Sequence, residues 1–249
     1  MADQTFKVDL TKPLVFQVGH LRASYDEWVH KPIIGKDTPR FFENDFMELM
    51  TRTVWWVIPL VWLPVASFFA SSSARAGIPP CHVAAAVVGG VFMWTLMEYC
   101  LHRFLFHMKT TTYWGNTLHY LLHGCHHKHP MDALRLVFPP AAAAILAVPL
   151  WSAFKLLTPA PYSPALFGGA LLGYVVYDCT HYYLHHGKPF KGIAHELKCR
   201  EITWTITSEF STRDLESLPL CGIGCSELSL RESPRKLADY TTTRVHDLS

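Results

Sequence analysis

At 249 residues the chain has room for one ordinary domain, or for a compact membrane domain with short ends outside the bilayer. Half of the residues are apolar, 17% are charged and eight are tryptophan, a balance closer to a membrane protein than to an average soluble domain. The formal charge of +2 argues against nucleic acid or another polyanionic partner, and the seven cysteines include no CxxC pair, which argues against a disulfide framework or a thiolate zinc site.

The first nine residues are mixed and polar with no apolar run, so no cleaved secretory signal is expected and membrane targeting must come from internal spans. Residues 1 to about 38 read as strand-like or irregular, with Pro13 and Pro32 as breakers and Asp37 as a candidate cap. The stretch FFENDFMELMT at 41–51 then reads as an interfacial amphipathic helix, so residues 1–52 form a cytosolic N-terminal segment. Residues 53–70 are 18 in a row without a charge, containing Trp55, Trp56 and Trp62, and they meet the length needed to cross a core of about 30 Å. Pro59 and Pro64 should kink that helix. A second apolar run at 83–101 contains one charge, Glu98. A third covers 141–157, extendable back to Leu136 through Pro139 and Pro140, and a fourth covers 165–177 after the breaker TPAPYSP, with 178–186 continuing the last helix beyond the bilayer.

The expected fold is therefore an all-α integral membrane protein with four transmembrane helices and a histidine-rich cap, the membrane domain running over 53–198. An even number of spans puts both termini on one side. Arg103, Lys109, Lys128 and Arg135 in the connector between spans two and three, against Arg75 alone in the first opposite loop, make that side cytosolic.

Ten of the 15 histidines lie between His102 and His186, five of them between His119 and His129. On a helix His123, His126 and His127 stand at i, i+3 and i+4, which puts three imidazoles on one face near one ion. His181 and His185, at i and i+4, can likewise share a metal. His102 and His107 are five apart, roughly 140° around an α-helix, so either they serve two different metals or the helix ends between them. The topology delivers all three boxes to the cytosolic face. Seven imidazoles exceed what one four- to six-coordinate ion uses, so two ions of zinc, iron or copper are expected. Glu98 and Asp178 are placed to orient imidazoles through their second nitrogens, or are solvated acids at helix ends. His20, His30, His82, His195 and His246 read as satisfied interfacial residues, and His119, His129 and His186 neighbour a box without completing one. HExxH, GxGxxG, P-loop and GxSxG motifs are missing, as is the HPGG of a haem-binding module, so electrons would arrive from another protein.

The order HxxxxH, HxxHH, HxxxH with intervening spans resembles the fatty acid hydroxylase superfamily of membrane histidine-box oxygenases, which includes sterol desaturases and methyl oxidases. FxVDLTKPLVFQVGHL near Phe6, EYCLHRFLFH at 98–107, WGNTLHYLLHGCHHKHPMD at 114–132, RLVFPP at 135–140 and YDCTHYYLHH at 177–186 are similar to the plant dihydroceramide fatty acyl 2-hydroxylases. The resemblance covers about residues 5–198. It implies an endoplasmic reticulum membrane protein holding two metal ions, iron or zinc, that inserts one oxygen atom at C2 of a long or very-long acyl chain of ceramide or fatty acid. O2 is the co-substrate and cytochrome b5 the electron donor. It also implies metal ligation by His102, His107, His123, His126, His127, His181 and His185, with Tyr174 and Asp178 one turn apart facing the site. A sterol-type oxidase of the same superfamily and a non-catalytic paralogue are the alternatives.

After Lys198 the text departs from the family, which continues with a further HxxHH box. Read in a shifted frame, with the last base of each codon joined to the first two of the next, Ile202 to Thr207 allow H-x-x-H-H and Leu220 to Ser229 allow MWDRVFGTL, the family's ending. Residues 199–249 thus read as a frameshifted or alternatively spliced tail, polar and loosely ordered, and the chain as written is expected to be inactive for want of the last box.

Overall fold

The computed structural model describes residues 6–33, 35 and 38–187, which belong to the larger of two compact units, Met1–Gly187. The tail reading and Asp37 lie outside the described residues. Among the described residues every regular element is helical.

The N-terminal text that looked strand-like folds as α1 (Val15–Val18), a 3-10 turn (Gly19–Ser24) and α2 (Tyr25–Val29). Its apolar residues Leu14, Val18, Leu21, Tyr25 and Val29 recur every three or four positions, which is helical spacing, and all are buried. They share one core with Phe41, Phe42, Tyr120 and Cys125, so this segment is packed onto the histidine-rich connector. The amphipathic helix expected at 41–51 is shorter: α3 spans Asp45–Met50, capped by Asn44 Oδ1, which accepts from the backbone N–H groups of Phe46 at 2.9 Å and Met47 at 3.1 Å. Phe46 and Leu49 are exposed on one face while Glu48 is buried on the other.

Glu48 ties the residues before α3 to the histidine-rich connector. Its Oε2 accepts from the N–H groups of Phe41 at 2.8 Å and Phe42 at 3.0 Å, and its Oε1 accepts from Arg52 Nη2 at 2.8 Å and from Arg135. Arg135 also pairs with Asp132 at 3.0 Å and lies 3.8 Å over the Phe41 ring. Burial alone would raise the Glu48 carboxyl, but the two backbone donors and the guanidinium groups outweigh it and hold the pKa below the ordinary value.

Three described helices are long and apolar enough to cross a membrane: α4 (Val57–Arg75), the continuous stretch Pro80–Phe106 that begins with α5 (Pro80–Cys100), and, after α6 (Tyr113–His119) and α7 (Cys125–Lys128), α8 (Pro140–Leu157). α4 starts four residues later than residue 53, so Pro59 falls in its first turn, where a missing N–H costs nothing, and Pro64 alone is interior. α9 (Ser163–His186) carries the expected polar extension without a break, but its text is less apolar than that of the other three.

α9 is buried against α4 and α5 through its glycines. A Cβ on Gly169 would stand 2.1 Å from the Val87 carbonyl oxygen, one on Gly90 would stand 2.0 Å from that of Leu166, and one on Gly168 would stand 2.7 Å from that of Ala66. Main chain meets main chain here, the close approach that small residues permit between helices in lipid. Further along, Gly173 faces Trp94, so α5 and α9 run in the same direction and their C-terminal ends, which carry the first and third histidine boxes, lie together.

Candidate metal centre

The first box sits on a π-helical turn, Leu101–Phe106, in which the His107 N–H donates to the His102 carbonyl at 3.2 Å. This i→i+5 bond widens the helix by about one residue per turn. It removes the obstacle seen in the spacing, because residues five apart, far around an α-helix, come back to nearly the same face. The two imidazoles are 4.6 Å apart between centroids. The helix also ends between them, at Phe106, with His107 as its C-cap at φ −102° and ψ 19°, one of the two outcomes that the spacing left open.

The second box lies where another π turn, Tyr120–Gly124, gives way to α7. Here the structure corrects the expectation that His123, His126 and His127 share one ion. His123 and His127 face the first box, His123 at 4.9 Å from His102 and His127 at 5.1 Å from His107. His126 turns the other way, with its centroid 4.8 Å from both His181 and His185. The physical reason is angular: His126 is one residue, about 100°, from His127, whereas His123 and His127 are one turn apart.

Three nitrogen triads result, and the two that share His107 are taken together as a first cluster, with the third triad as the second. In the first, ring nitrogens of His102, His107 and His123 lie within 4.8 Å of one another, and so do those of His30, His107 and His127; in the second, His126, His181 and His185 do. All seven residues that the spacing singled out fall in these clusters. His30, which read as an isolated interfacial histidine, joins the first, and its sequence signal was only its position in the segment now seen to pack on the connector.

The clusters fit metal ions. His123 Nε2 and His127 Nε2 are buried without a hydrogen-bond partner among the described residues, a costly state for a nitrogen lone pair unless a cation takes it. Two nitrogens each about 2.0–2.1 Å from a tetrahedral ion stand roughly 3.3 Å apart, and His126 Nε2 and His181 Nε2 are 3.3 Å apart. Burial, then the charge of neighbouring imidazoles, holds His123 and His126 well below the ordinary histidine value and pushes His127 down to about 3, so these rings are neutral donors at neutral pH. A donor set made only of imidazole suits zinc, iron or copper.

The remaining candidates have other partners. His119 uses both nitrogens, Nδ1 at 2.7 Å from the Tyr25 hydroxyl and Nε2 at 2.6 Å from the Phe106 carbonyl, which braces the end of the first π turn. Asp178 Oδ2 accepts from the Phe138 N–H at 3.1 Å and the Tyr174 hydroxyl donates to the Phe138 carbonyl at 3.2 Å. Both side chains therefore hold the lead-in to α8, and in these contacts Asp178 does not orient an imidazole. Glu98 is hydrogen-bonded to Tyr177, whose ring lies 5.8 Å from that of His181.

No family model matches the chain. The dihydroceramide fatty acyl 2-hydroxylases FAH1 and FAH2 of Arabidopsis thaliana are 58% and 53% identical to it, over 80% and 88% of this chain and 84% and 96% of their own lengths. The fatty acid 2-hydroxylase of Homo sapiens is 40% identical over 74% of this chain and 55% of its own. A solved structure of full-length scs7p, in which only the hydroxylase domain is visible, superimposes with a TM-score of 0.74 at 36% identity, covering 81% of this chain and 78% of that one. With the same helical scaffold and this degree of identity along nearly all of the plant relatives' length, the chain belongs to the fatty acid 2-hydroxylases.

Proposed function

We propose that this fold is a two-metal monooxygenase of the endoplasmic reticulum membrane that hydroxylates C2 of long or very-long acyl chains in ceramide or fatty acid. The observation that carries it is the pair of all-imidazole clusters at one end of the α5–α9 pair. In this reading α9 is the fourth span, both termini are cytosolic, and the clusters lie at the cytosolic boundary.

His102, His107, His123 and His127 hold one ion and His126, His181 and His185 the other. Iron held there would supply the redox chemistry for O2, and zinc, which has none, only a positive charge; O2, two electrons from cytochrome b5 and two protons balance one oxygen atom in the product and one in water. The chain's own residues set the stage for that chemistry. Neutral imidazoles leave the ions their positive charge. The π turns fix the direction of the first two boxes, and His119 braces the carbonyl of Phe106 next to His107. Asp178 and Tyr174 tie the lead-in to α8 at Phe138 to α9, the helix that carries His181 and His185.

The chain as written supplies seven imidazoles from three boxes, and the tail replaces the family's last box. The second reading, a non-catalytic paralogue, rests on that departure. Lipid analysis of a hydroxylase-null cell separates the two when it expresses the chain as written or with the frame restored after Lys198. The proposal expects 2-hydroxy acyl groups from the restored chain and none from the chain as written. No product from the restored chain would refute the assigned reaction, and product from the chain as written would refute the need for the missing box.

A further inference from the structure

His30 follows α2 and has two faces. On one side its Nδ1 is 2.7 Å from the Asp26 carbonyl oxygen. A carbonyl only accepts, so the proton of the neutral ring sits on Nδ1 and the lone pair is left on Nε2. On the other side is the first cluster: His30, His107 and His127 each offer a nitrogen within 4.8 Å of the others, and the His30 and His127 rings are 5.1 Å apart. Metal-binding imidazoles characteristically show this arrangement, one nitrogen held by a carbonyl and the other aimed at the ion. His119, with both nitrogens engaged by protein groups, is the contrasting case.

The loop bearing His30 is also fastened to the second box. The Lys128 ammonium donates to the Trp28 carbonyl at 2.9 Å and to that of Lys31, and the Ile33 N–H donates to the Lys128 carbonyl at 2.8 Å. Lys128 directly follows His127, so its ammonium and its carbonyl together hold the main chain on both sides of His30 in register with His127. We infer that His30 is a further ligand of the first metal ion, making the N-terminal segment part of that site. The inference rests on the two-metal reading above and adds to it an imidazole from outside the histidine boxes.

The test is zinc binding by the full chain in detergent. The metal-stripped protein is titrated with zinc(II) against a chelator of known affinity, beside His30→Ala and His82→Ala, the latter an exposed histidine at the far end of α5. The expected result is a loss of at least about ten-fold in affinity at one site for His30→Ala, reversed by added imidazole that refills the vacated position, with His82→Ala equal to the parent. Unchanged affinity in His30→Ala, or a loss that imidazole does not reverse, overturns the ligand role and leaves the two-metal reading standing. A parent chain that, with the frame restored after Lys198, binds neither zinc(II) nor iron(II) overturns both.

Discussion

Replacing Gly90 by alanine should force α5 and α9 apart, whereas the same replacement one residue earlier should not. At Gly90 the new Cβ would stand 2.0 Å from the Leu166 carbonyl oxygen, 2.8 Å from the Ala170 nitrogen and 2.9 Å from the Gly169 Cα, all main-chain atoms of a helix. None can rotate away, so reaching an ordinary 3.4 Å contact requires about 1.4 Å of helix separation. Overpacking of this kind costs about 1–3 kcal/mol. A gap of 0.5–1 Å elsewhere along the crossing forfeits roughly a quarter to a half of each dispersion contact, which pushes the total to the upper end. At Gly89 a Cβ meets only the Leu166 Cδ2 at 3.4 Å, and alanine there should gain roughly 0.5–1 kcal/mol of helix propensity. The assay is thermal unfolding of the purified chain in detergent together with bound zinc per chain. Metal–ligand distances tolerate only about 0.2 Å, so Gly90→Ala should lower both readouts and Gly89→Ala neither. Equal melting and equal zinc content for the two variants would show that the helices do not meet here.

In the frame-restored chain, His126→Ala and His181→Ala should each abolish formation of 2-hydroxy lipid and His82→Ala should leave it intact; activity surviving in either of the first two would remove that residue from the site. Glu48→Gln should lower stability at neutral pH. Because the folded carboxyl titrates below its unfolded value of about 4.3, its contribution is present above that pH and fades as pH falls through the folded value, so parent and variant should converge in acid unfolding curves. A difference that persisted at the lowest pH would place the effect in packing rather than charge. Lys128→Met removes the donor that ties the Trp28 and Lys31 carbonyls, and limited proteolysis should then cut near residue 31 faster than in the parent. An unchanged cleavage rate would mean that the N-terminal segment is held by its apolar contacts alone.

Three of the four expected spans were legible as helices long and apolar enough to cross a membrane, because uninterrupted apolar text has few other uses, and the end of α4 shifted from residue 70 to Arg75 because Ser71 and Ser72 return their hydroxyls to the Phe68 carbonyl and stay helical. The N-terminal segment was misread for a physical reason. The β-branched Val15 and Val18 and the flanking prolines suggest a strand locally, whereas the spacing from Leu14 to Val29 follows a helix that packs on residues a hundred positions away. Propensity is a local signal and yields to such packing. His30 was passed over for the same reason: nothing near it in sequence marks it, and only the fastening of its loop to Lys128 brings it to the first cluster.

The first two boxes show why spacing alone could not assign ions to residues. Read on an ideal α-helix, His102 and His107 diverge and His123, His126 and His127 converge; in the structure the first pair converges and the trio divides. Two π turns, Leu101–Phe106 and Tyr120–Gly124, carry His102 and His123 and precede His107, His126 and His127, and each shifts everything after it relative to an α-helical projection. The division of the trio is what yields separate imidazole clusters instead of one. A single short helix, α7, places His127 toward α5 and His126 toward α9, so it bridges the two long helices that the glycine crossing holds side by side. The two sites therefore share one support. Any change that moves α7, including a change in the N-terminal segment clamped to it through Lys128, acts on both clusters together.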